Sequence, residues 1–424
     1  MKGKAAAGFS LALVVALTVG CGGGESGQKL PTVTLWSSFP HRGPQKRQAL
    51  LLERAVRGAV SNLSGRFKNY NLRYVALDSS SADVNGWDPG VAAANARRAA
   101  LDPSTFGYIG ELDSGATAVA LPILNQAGVL VVSPSATAVG LTHRGVGAGP
   151  GAPFQYYPTG TRNFVRLVPR DSLQGSIIPA LAKSHGCKSI ALIDDGSIYG
   201  AGLADIVNYE SKGRGLTVAS QNTLDPRSSS YRSDLDKVKA GCILYSGEPS
   251  SSAVRVATDV ARRNPRAWLI APDALAGPSF VDPLHGGISA GLAKRTLVIG
   301  TVGPEKSYPP FGQWLWRNLT VRGENMVGIG TISAYAGVEL AVACQQAAGL
   351  VRGRPHRAGI LGCALGHNHY SRALGGYRVF ARGDSSVNAY SRLVIKSGRL
   401  HRAEALHPPA PLTPAQKQAS QSAG

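Results

Sequence analysis

The strongest constraint on this chain is an alternation that runs through it twice. From Thr32 onward, short apolar runs rich in β-branched residues alternate with helical stretches, the pattern of a parallel sheet covered by helices. Strands are expected at 33–36, 72–77, 108–110, 129–132 and 164–168, with helices at 45–63, 89–101 and 114–127. Asp88-Pro89 marks the start of the second helix. The alternation starts afresh at 189–193, with helices from 200 and at 251–263, and strands at 243–245, 268–271 and 296–300. After Pro304 it gives way to long helices at 311–319 and 331–350, then to short strands near 377–380 and 390–395. The Pro-, Ala- and Gln-rich stretch from His407 reads as a disordered tail. The expected fold class is therefore α/β, with two doubly wound parallel-sheet units; about 400 residues suit two domains better than one core. In such sheets ligands bind beyond the carboxyl ends of the strands, so two facing sheets make a cleft.

Lys2 and Lys4 precede an uncharged apolar run at 5–19, which reads as an export signal rather than the ~20 apolar residues of a membrane span. Gly20-Cys21 follows, the lipoprotein cleavage pattern in which the Cys21 thiol is diacylated and anchors the protein to the outer face of the membrane. Thr18 stands where that pattern usually has Leu, with Leu17 one place early. Residues 22–30 open with Gly-Gly-Gly-Glu-Ser-Gly and read as a flexible tether; ordinary secretion with a fortuitous cysteine is the alternative. The remainder is expected to be soluble and extracytoplasmic.

That compartment is oxidising, and four cysteines remain besides Cys21. Cys187 and Cys242 each precede an apolar strand-like run, and their sulfurs can meet if those strands are parallel neighbours; Cys344 is then left with Cys363. Zinc is the competing reading, but no Cys-x-x-Cys spacing supports it. His367 and His369 have metal-compatible spacing without an evident third ligand, so neither a metal nor a cofactor is expected. A net charge of +20 and a pI near 10.0 raise nucleic acid as a partner. The basic residues are scattered singly or in pairs such as Arg97-Arg98 and Arg262-Arg263, without an aromatic-interleaved stripe, so nucleic acid is not expected. Enzyme signatures are missing too: no Gly-x-Ser-x-Gly elbow follows an expected strand, the GISAG at 287–291 included, and SSFPHRG after the first strand is no dinucleotide loop.

The most informative local signal is GELDSGATAVALPILNQAG at 110–128, followed at once by VLVVSPSATAVGLT at 129–142. Each block is a strand ending in small and hydroxyl residues that open a helix or turn, an arrangement that offers N–H groups and hydroxyls to a small anionic group. Ser114 and Thr137 are the hydroxyls favoured for that role; as strand-end residues they also suit simple helix capping. Trp36 and Phe39 read as core residues or as cleft lining. With WDPG at 87–90, YYPTG at 156–160, FVRLVPRDSLQG at 164–175, DDGSIYGAGLA at 194–204, APD at 271–273 and ARGDSSVNAY at 381–390, the chain resembles the branched-chain amino acid (Leu/Ile/Val) binding proteins of ABC importers, which have the type I periplasmic binding fold. The similarity runs from about 32 to 399.

The resemblance implies three crossings between lobes, near Pro169, Pro304 and Tyr390. The first lobe is then 31–169 and 305–389, the second 170–304 and 390–404, with a tail at 405–424. It implies that the hydroxyls of Ser114 and Thr137, with nearby N–H groups of the Ser135-Ala136-Thr137 turn, hold an α-carboxylate. The carbonyl of Ser135 and the hydroxyl of Thr137 would accept from the α-ammonium, joined by Asp273, while Tyr199 closes over the ligand. A zwitterion needs donors at one end and a carboxylate at the other once water is excluded. Two departures stand out. Asp273 is one methylene shorter than the glutamate common in the family and reaches an ammonium through water. Glu248, in the loop after Tyr245 where the family often has an aromatic residue, favours a ligand with an extra polar or cationic group. The partners implied are an amino-acid ligand, an ABC permease and the membrane through the anchor, with the protein a monomer. A ligand sensor reporting to a membrane receptor, or a binder of an amide or other small carboxylate, is the rival reading.

Overall fold

The computed structural model describes residues 30–64, 69–225, 228, 231, 235–236, 238–318 and 330–422. The expected signal, Cys21 and nearly all of the tether lie outside these residues. The main elements of the amino-terminal half are β1 (Thr32–Phe39), α1 (Lys46–Ser64), β2 (Asn71–Asp78), α2 (Pro89–Leu101), β3 (Thr105–Ile109), α3 (Ser114–Gln126), β4 (Leu130–Ser133) and β5 (Phe164–Arg166). They form an all-parallel sheet of order β2-β1-β3-β4-β5. Its central strands are mainly apolar on both faces because helices cover both; every residue of β3 and β4 is buried. The start of α2 is fixed by the Asp88 carboxylate, which accepts from the N–H groups of Gly90 and Val91 at 2.7 and 3.1 Å.

The second half contains α4 (Asp171–Ser184), β6 (Ser189–Asp194), α5 (Ile198–Gly213), β7 (Thr217–Thr223), β8 (Cys242–Ser246), α6 (Ser251–Arg263), β9 (Trp268–Ala271) and β10 (Thr296–Gly300). The chain then forms α7 (Pro310–Asn318), α8 (Thr331–Ala348) and α9 (Arg357–Ala364), returns as β11 (Tyr390–Lys396) and β12 (Arg399–Leu406), and ends in α10 (Pro414–Ser422). The second sheet runs β12-β11-β10-β9-β8-β6-β7, parallel except where β11 meets β10 and β12. Helices α7, α8 and α9 return to the first sheet, where Leu315, Tyr335, Leu340 and Ile360 share a core with Leu35, Phe39, Ile109 and Val132. The molecule is thus α/β with two parallel-sheet lobes. The chain passes from the first sheet to the second after Arg166, leaves it after Gly300 and re-enters at Tyr390.

Several elements depart from the sequence expectation. Helix α4 precedes β6, so the alternation restarts one element earlier than the strand at 189–193; its Pro179 and Gly175 weaken its helical signature. Strand β7, TVASQNT, lies on a sheet edge with alternating exposure and lacks an apolar run. The strand expected near 377–380 is a hairpin of 368–371 with 375–378. The tail expected to be disordered includes α10, docked on α5 with Leu412 and Ser420 buried. Gly213 makes this docking feasible, since a Cβ there would lie 2.5 Å from Ser420 Oγ and 2.6 Å from Leu412 Cδ1. Both expected disulfides form: Cys187–Cys242 and Cys344–Cys363, with Cα separations of 5.7 and 5.4 Å. Trp36 and Phe39 are buried core residues, and the Trp36 indole N–H donates to Thr105 Oγ1 at 2.8 Å.

Candidate functional site

The turns that follow β3 and β4 are neighbours because those strands pair directly. They are bonded to one another: Ser135 Oγ donates to the Leu112 carbonyl at 2.6 Å, and Ser114 Oγ accepts from the Ala138 N–H at 3.2 Å. Beneath them lies Arg166, a fully buried arginine at the end of β5. One of its nitrogens, Nη1, donates to the carbonyls of Ala136 and Ala138 at 2.9 and 3.0 Å, bracketing Thr137. Its Nε is paired with Asp384 Oδ1 at 2.9 Å, and Nη2 donates to Thr142 Oγ1 at 2.8 Å. The other Asp384 oxygen accepts from Arg170 Nη1 at 2.9 Å. Burial pushes the Asp384 carboxyl up, but the guanidinium groups of Arg166 and Arg170 more than offset it and hold it below the usual carboxylate range. A fixed cation therefore sets the backbone around Thr137.

The second lobe contributes Asp273, directly after β9, and Tyr199, in the first turn of α5. Tyr199 Oη and Gln174 Nε2 both donate to Asp273 Oδ1, at 2.7 and 2.6 Å, and the Asp273 N–H donates to Gln174 Oε1 at 2.9 Å. Burial pushes the Asp273 carboxyl up, partly offset by the bonds from Gln174 and Tyr199. Asp171, at the start of α4, is raised well above its ordinary value by burial and by the nearby Asp273. Its N–H donates to the Thr137 carbonyl at 3.0 Å, so the turn of one lobe is tied to the first helix of the other.

One cavity is lined by Ser114, Ser135 and Thr137 from one side and by Tyr199 and Asp273 from the other. Five of the six residues to which the resemblance assigns the ligand's amino and carboxyl groups, or closure over them, thus meet. Ala136 does not: it is fully buried, its N–H donates to Ser133 Oγ at 2.9 Å and its carbonyl serves Arg166. The expected contribution of its N–H is spent inside the turn. The cavity also takes in Gln45, Asp113 and Glu248. Of these only Glu248 is singled out by the sequence; Asp113 is hidden in a position that looks like a helix cap. His367 is exposed and His369 Nε2 sits 3.1 Å from the Ala364 carbonyl. Among the described residues no group of three or more His, Cys, Asp or Glu is arranged to hold a metal.

Hydroxyls from one lobe and a buried carboxylate from the other, facing each other across one cavity, define a two-lobed binding protein of the type I periplasmic binding fold. The chain belongs to the periplasmic binding protein family, whose profile matches residues 39–292. A curated relative, the Leu/Ile/Val-binding protein BraC3 of Rhizobium johnstonii, is 28% identical over 152 residues; the match covers 36% of each chain, little more than a third of the relative's length. Among solved structures, the leucine binding protein LivK of Thermotoga maritima superposes with a TM-score of 0.73 at 17% identity, over 89% of this chain and 99% of that one. LivJ of Streptococcus pneumoniae, solved with isoleucine, gives 0.69 at 18% identity, over 89% and 100%. The resemblance read from the sequence is thus matched in family and in fold. Among the described residues no helix is long and apolar enough to cross a membrane.

Proposed function

We propose that this chain is the extracytoplasmic solute-binding component of an ABC importer, tethered through a lipidated Cys21, and that it captures a free α-amino acid by closure of its two lobes without catalysing a reaction. The observation that carries the reading is the convergence of Ser114 and Thr137 with Tyr199 and Asp273 on one cavity. Ser114 and Thr137 receive the α-carboxylate at the amino end of α3; Asp273, held by Gln174 and Tyr199, receives the α-ammonium. An ammonium beside Asp273 relieves the burial that now holds its carboxyl up. Docking on the first lobe followed by arrival of the second is selection of the closed state by differential contact, and a permease reads that state. The curated relative and the two solved neighbours, all named for branched-chain amino acid binding or transport, support the amino-acid class.

The test is thermal stability of the full-length protein against the common L-amino acids. A ligand present at 100 times its Kd adds about 2.7 kcal/mol to the native state. At least one L-amino acid raises the midpoint, and Ser114→Ala with Thr137→Ala removes the rise while leaving the unliganded midpoint near the wild-type value. A panel with no stabilising member refutes the assignment.

A further inference from the structure

Two carboxylates lining the cavity have no role in holding the amino and carboxyl groups of an amino acid. Asp113 occupies the cap position of α3, yet its side chain makes no capping hydrogen bond. Its Oδ1 accepts instead from Gln45 Nε2, and its Oδ2 is buried without a hydrogen-bond partner. The residue as a whole is 6% exposed. Helix capping, the ordinary reason for an aspartate at this position, therefore does not explain it.

Glu248 reaches the same cavity from the loop after β8. Its Oε2 accepts from Trp87 Nε1 of the first lobe at 2.7 Å, while its Oε1 is buried and unpartnered. Trp87 lies so close to the first turn of α3 that a Cβ on Gly115 would come within 2.7 Å of its ring. The carboxylate is thus delivered against the amino end of α3, beside Asp113. A third acid, Asp195, sits behind them but is satisfied by the N–H and Oγ of Ser197, at 3.0 and 2.6 Å, and by the Glu248 N–H at 2.7 Å.

No Lys, Arg or His among the described residues forms an ion pair with Asp113 or Glu248, although the chain has 45 Lys and Arg against 25 Asp and Glu. The charges acting on them are negative: Asp195 on Asp113, and Asp113 with Asp195 on Glu248. Burial, partly offset by the Gln45 bond and reinforced by Asp195, pushes Asp113 up to about 7, and burial with repulsion from Asp113 and Asp195 raises Glu248 well above its ordinary value. Buried carboxylates left without a counter-charge are costly, and the missing partner is a cation. A metal fits poorly, since no metal-holding group is assembled among the described residues.

We infer that Asp113 and Glu248 form an acidic subsite that receives the ammonium or guanidinium of a ligand, so that the amino acid bound here has a cationic side chain. This rests on the amino-acid reading given above and narrows it. The zwitterion occupies Ser114, Thr137 and Asp273; the side chain runs toward Gln45, and its cation pairs with the two free carboxylate oxygens. An apolar side chain in that position leaves both oxygens desolvated and unpaired, which selects against leucine, isoleucine and valine.

The test is calorimetric titration of the full-length protein at pH 8 with L-arginine, L-lysine, L-citrulline, L-leucine and agmatine. Citrulline is the neutral counterpart of arginine, and agmatine keeps the guanidinium but lacks the α-carboxylate. Arginine or lysine is expected to bind at least 100-fold more tightly than leucine, with citrulline weaker than arginine by at least tenfold and agmatine weaker still. Asp113→Asn and Glu248→Gln each weaken the cationic ligand at least tenfold while narrowing its advantage over citrulline. The comparison of arginine with citrulline on the wild-type protein stands even if a variant folds poorly. Leucine binding as tightly as arginine and lysine overturns the inference and leaves the amino-acid reading intact. Agmatine binding as tightly as arginine keeps the acidic subsite and overturns the α-amino-acid reading, while binding of none of the five overturns both.

Discussion

Replacing Asp384 with alanine tests how the cleft is held in shape. Asp384 is the only carboxylate paired with Arg166 among the described residues, and Arg166 is wholly buried. Removing one member of a buried ion pair leaves an uncompensated charge and costs about 3–5 kcal/mol. With an unfolding entropy of ~2.1 cal/mol/K per residue over ~400 residues, that loss lowers Tm by about 4–6 °C. Asp384→Asn keeps an acceptor for Arg166 Nε and is expected to cost about half as much. The effect extends to the cleft, because the same guanidinium fixes the carbonyls on both sides of Thr137. Affinity for the stabilising amino acid therefore falls at least tenfold in Asp384→Ala, in addition to the lost stability. The pH dependence has a definite sign. Asp384 titrates below its ordinary 3.8, so its contribution is complete above that value and disappears as the pH falls through the lower folded value. Chemical denaturation of both variants at pH 7, with ligand titration of each, supplies the measurements. A loss under 1 kcal/mol for Asp384→Ala refutes the account of the ion pair; full loss of stability with unchanged affinity refutes its role in setting Thr137.

Two further predictions concern stability alone. Cys187–Cys242 closes a separation of 55 residues and Cys344–Cys363 one of 19, so chain entropy gives about 4 and about 3 kcal/mol respectively. Denaturant titration of the double-alanine variants is expected to rank the first as more damaging, and the reverse order contradicts that reasoning. Glu111, fully buried, accepts from Tyr108 Oη at 2.5 Å and Ser38 Oγ at 3.1 Å; burial, only partly offset by those bonds, pushes it up to about 8. The folded state keeps a proton that the unfolded chain releases, so stability from this group is full below 4.5 and falls by roughly 1.4 kcal/mol per unit until pH 8. Glu111→Gln is expected to flatten the stability–pH curve by that amount, and an unchanged slope shows that Glu111 is ionised in the native state.

The readable part of the fold is the part in which burial is two-sided. Strands β3, β8 and β10 are buried along their whole length because both faces are covered, and each is visible as a short, mainly apolar run between turn signals. Edge strand β7 exposes alternate residues and carries Ser, Gln and Asn, so it resembles a loop. Helix α4 hides for a different reason: it starts at the crossing between lobes, and Asp171 and Gln174 at its beginning are buried, Gln174 against Asp273, instead of facing solvent. The terminal helix α10 has the polar composition of a tail, and its order depends on a bare glycine on α5 that no periodicity announces.

The same distinction governs the site. Ser114, Ser135 and Thr137 are recognisable because hydroxyls at the ends of neighbouring parallel strands point to anion chemistry wherever the fold is known. Asp273 is recognisable as the carboxylate opposite them. Gln174 and Arg166 act one step removed, through Asp273 and through the carbonyls beside Thr137, and their roles appear only when residues 99 and 218 positions away in sequence are brought together. Asp113 is the most instructive case. In sequence it precedes a helix and needs no further explanation; in three dimensions it forgoes the cap, binds Gln45 and leaves an oxygen beside Glu248. A specificity residue placed at a cap position is masked by the commonest structural use of its own side chain. Only the missing hydrogen bond reveals it.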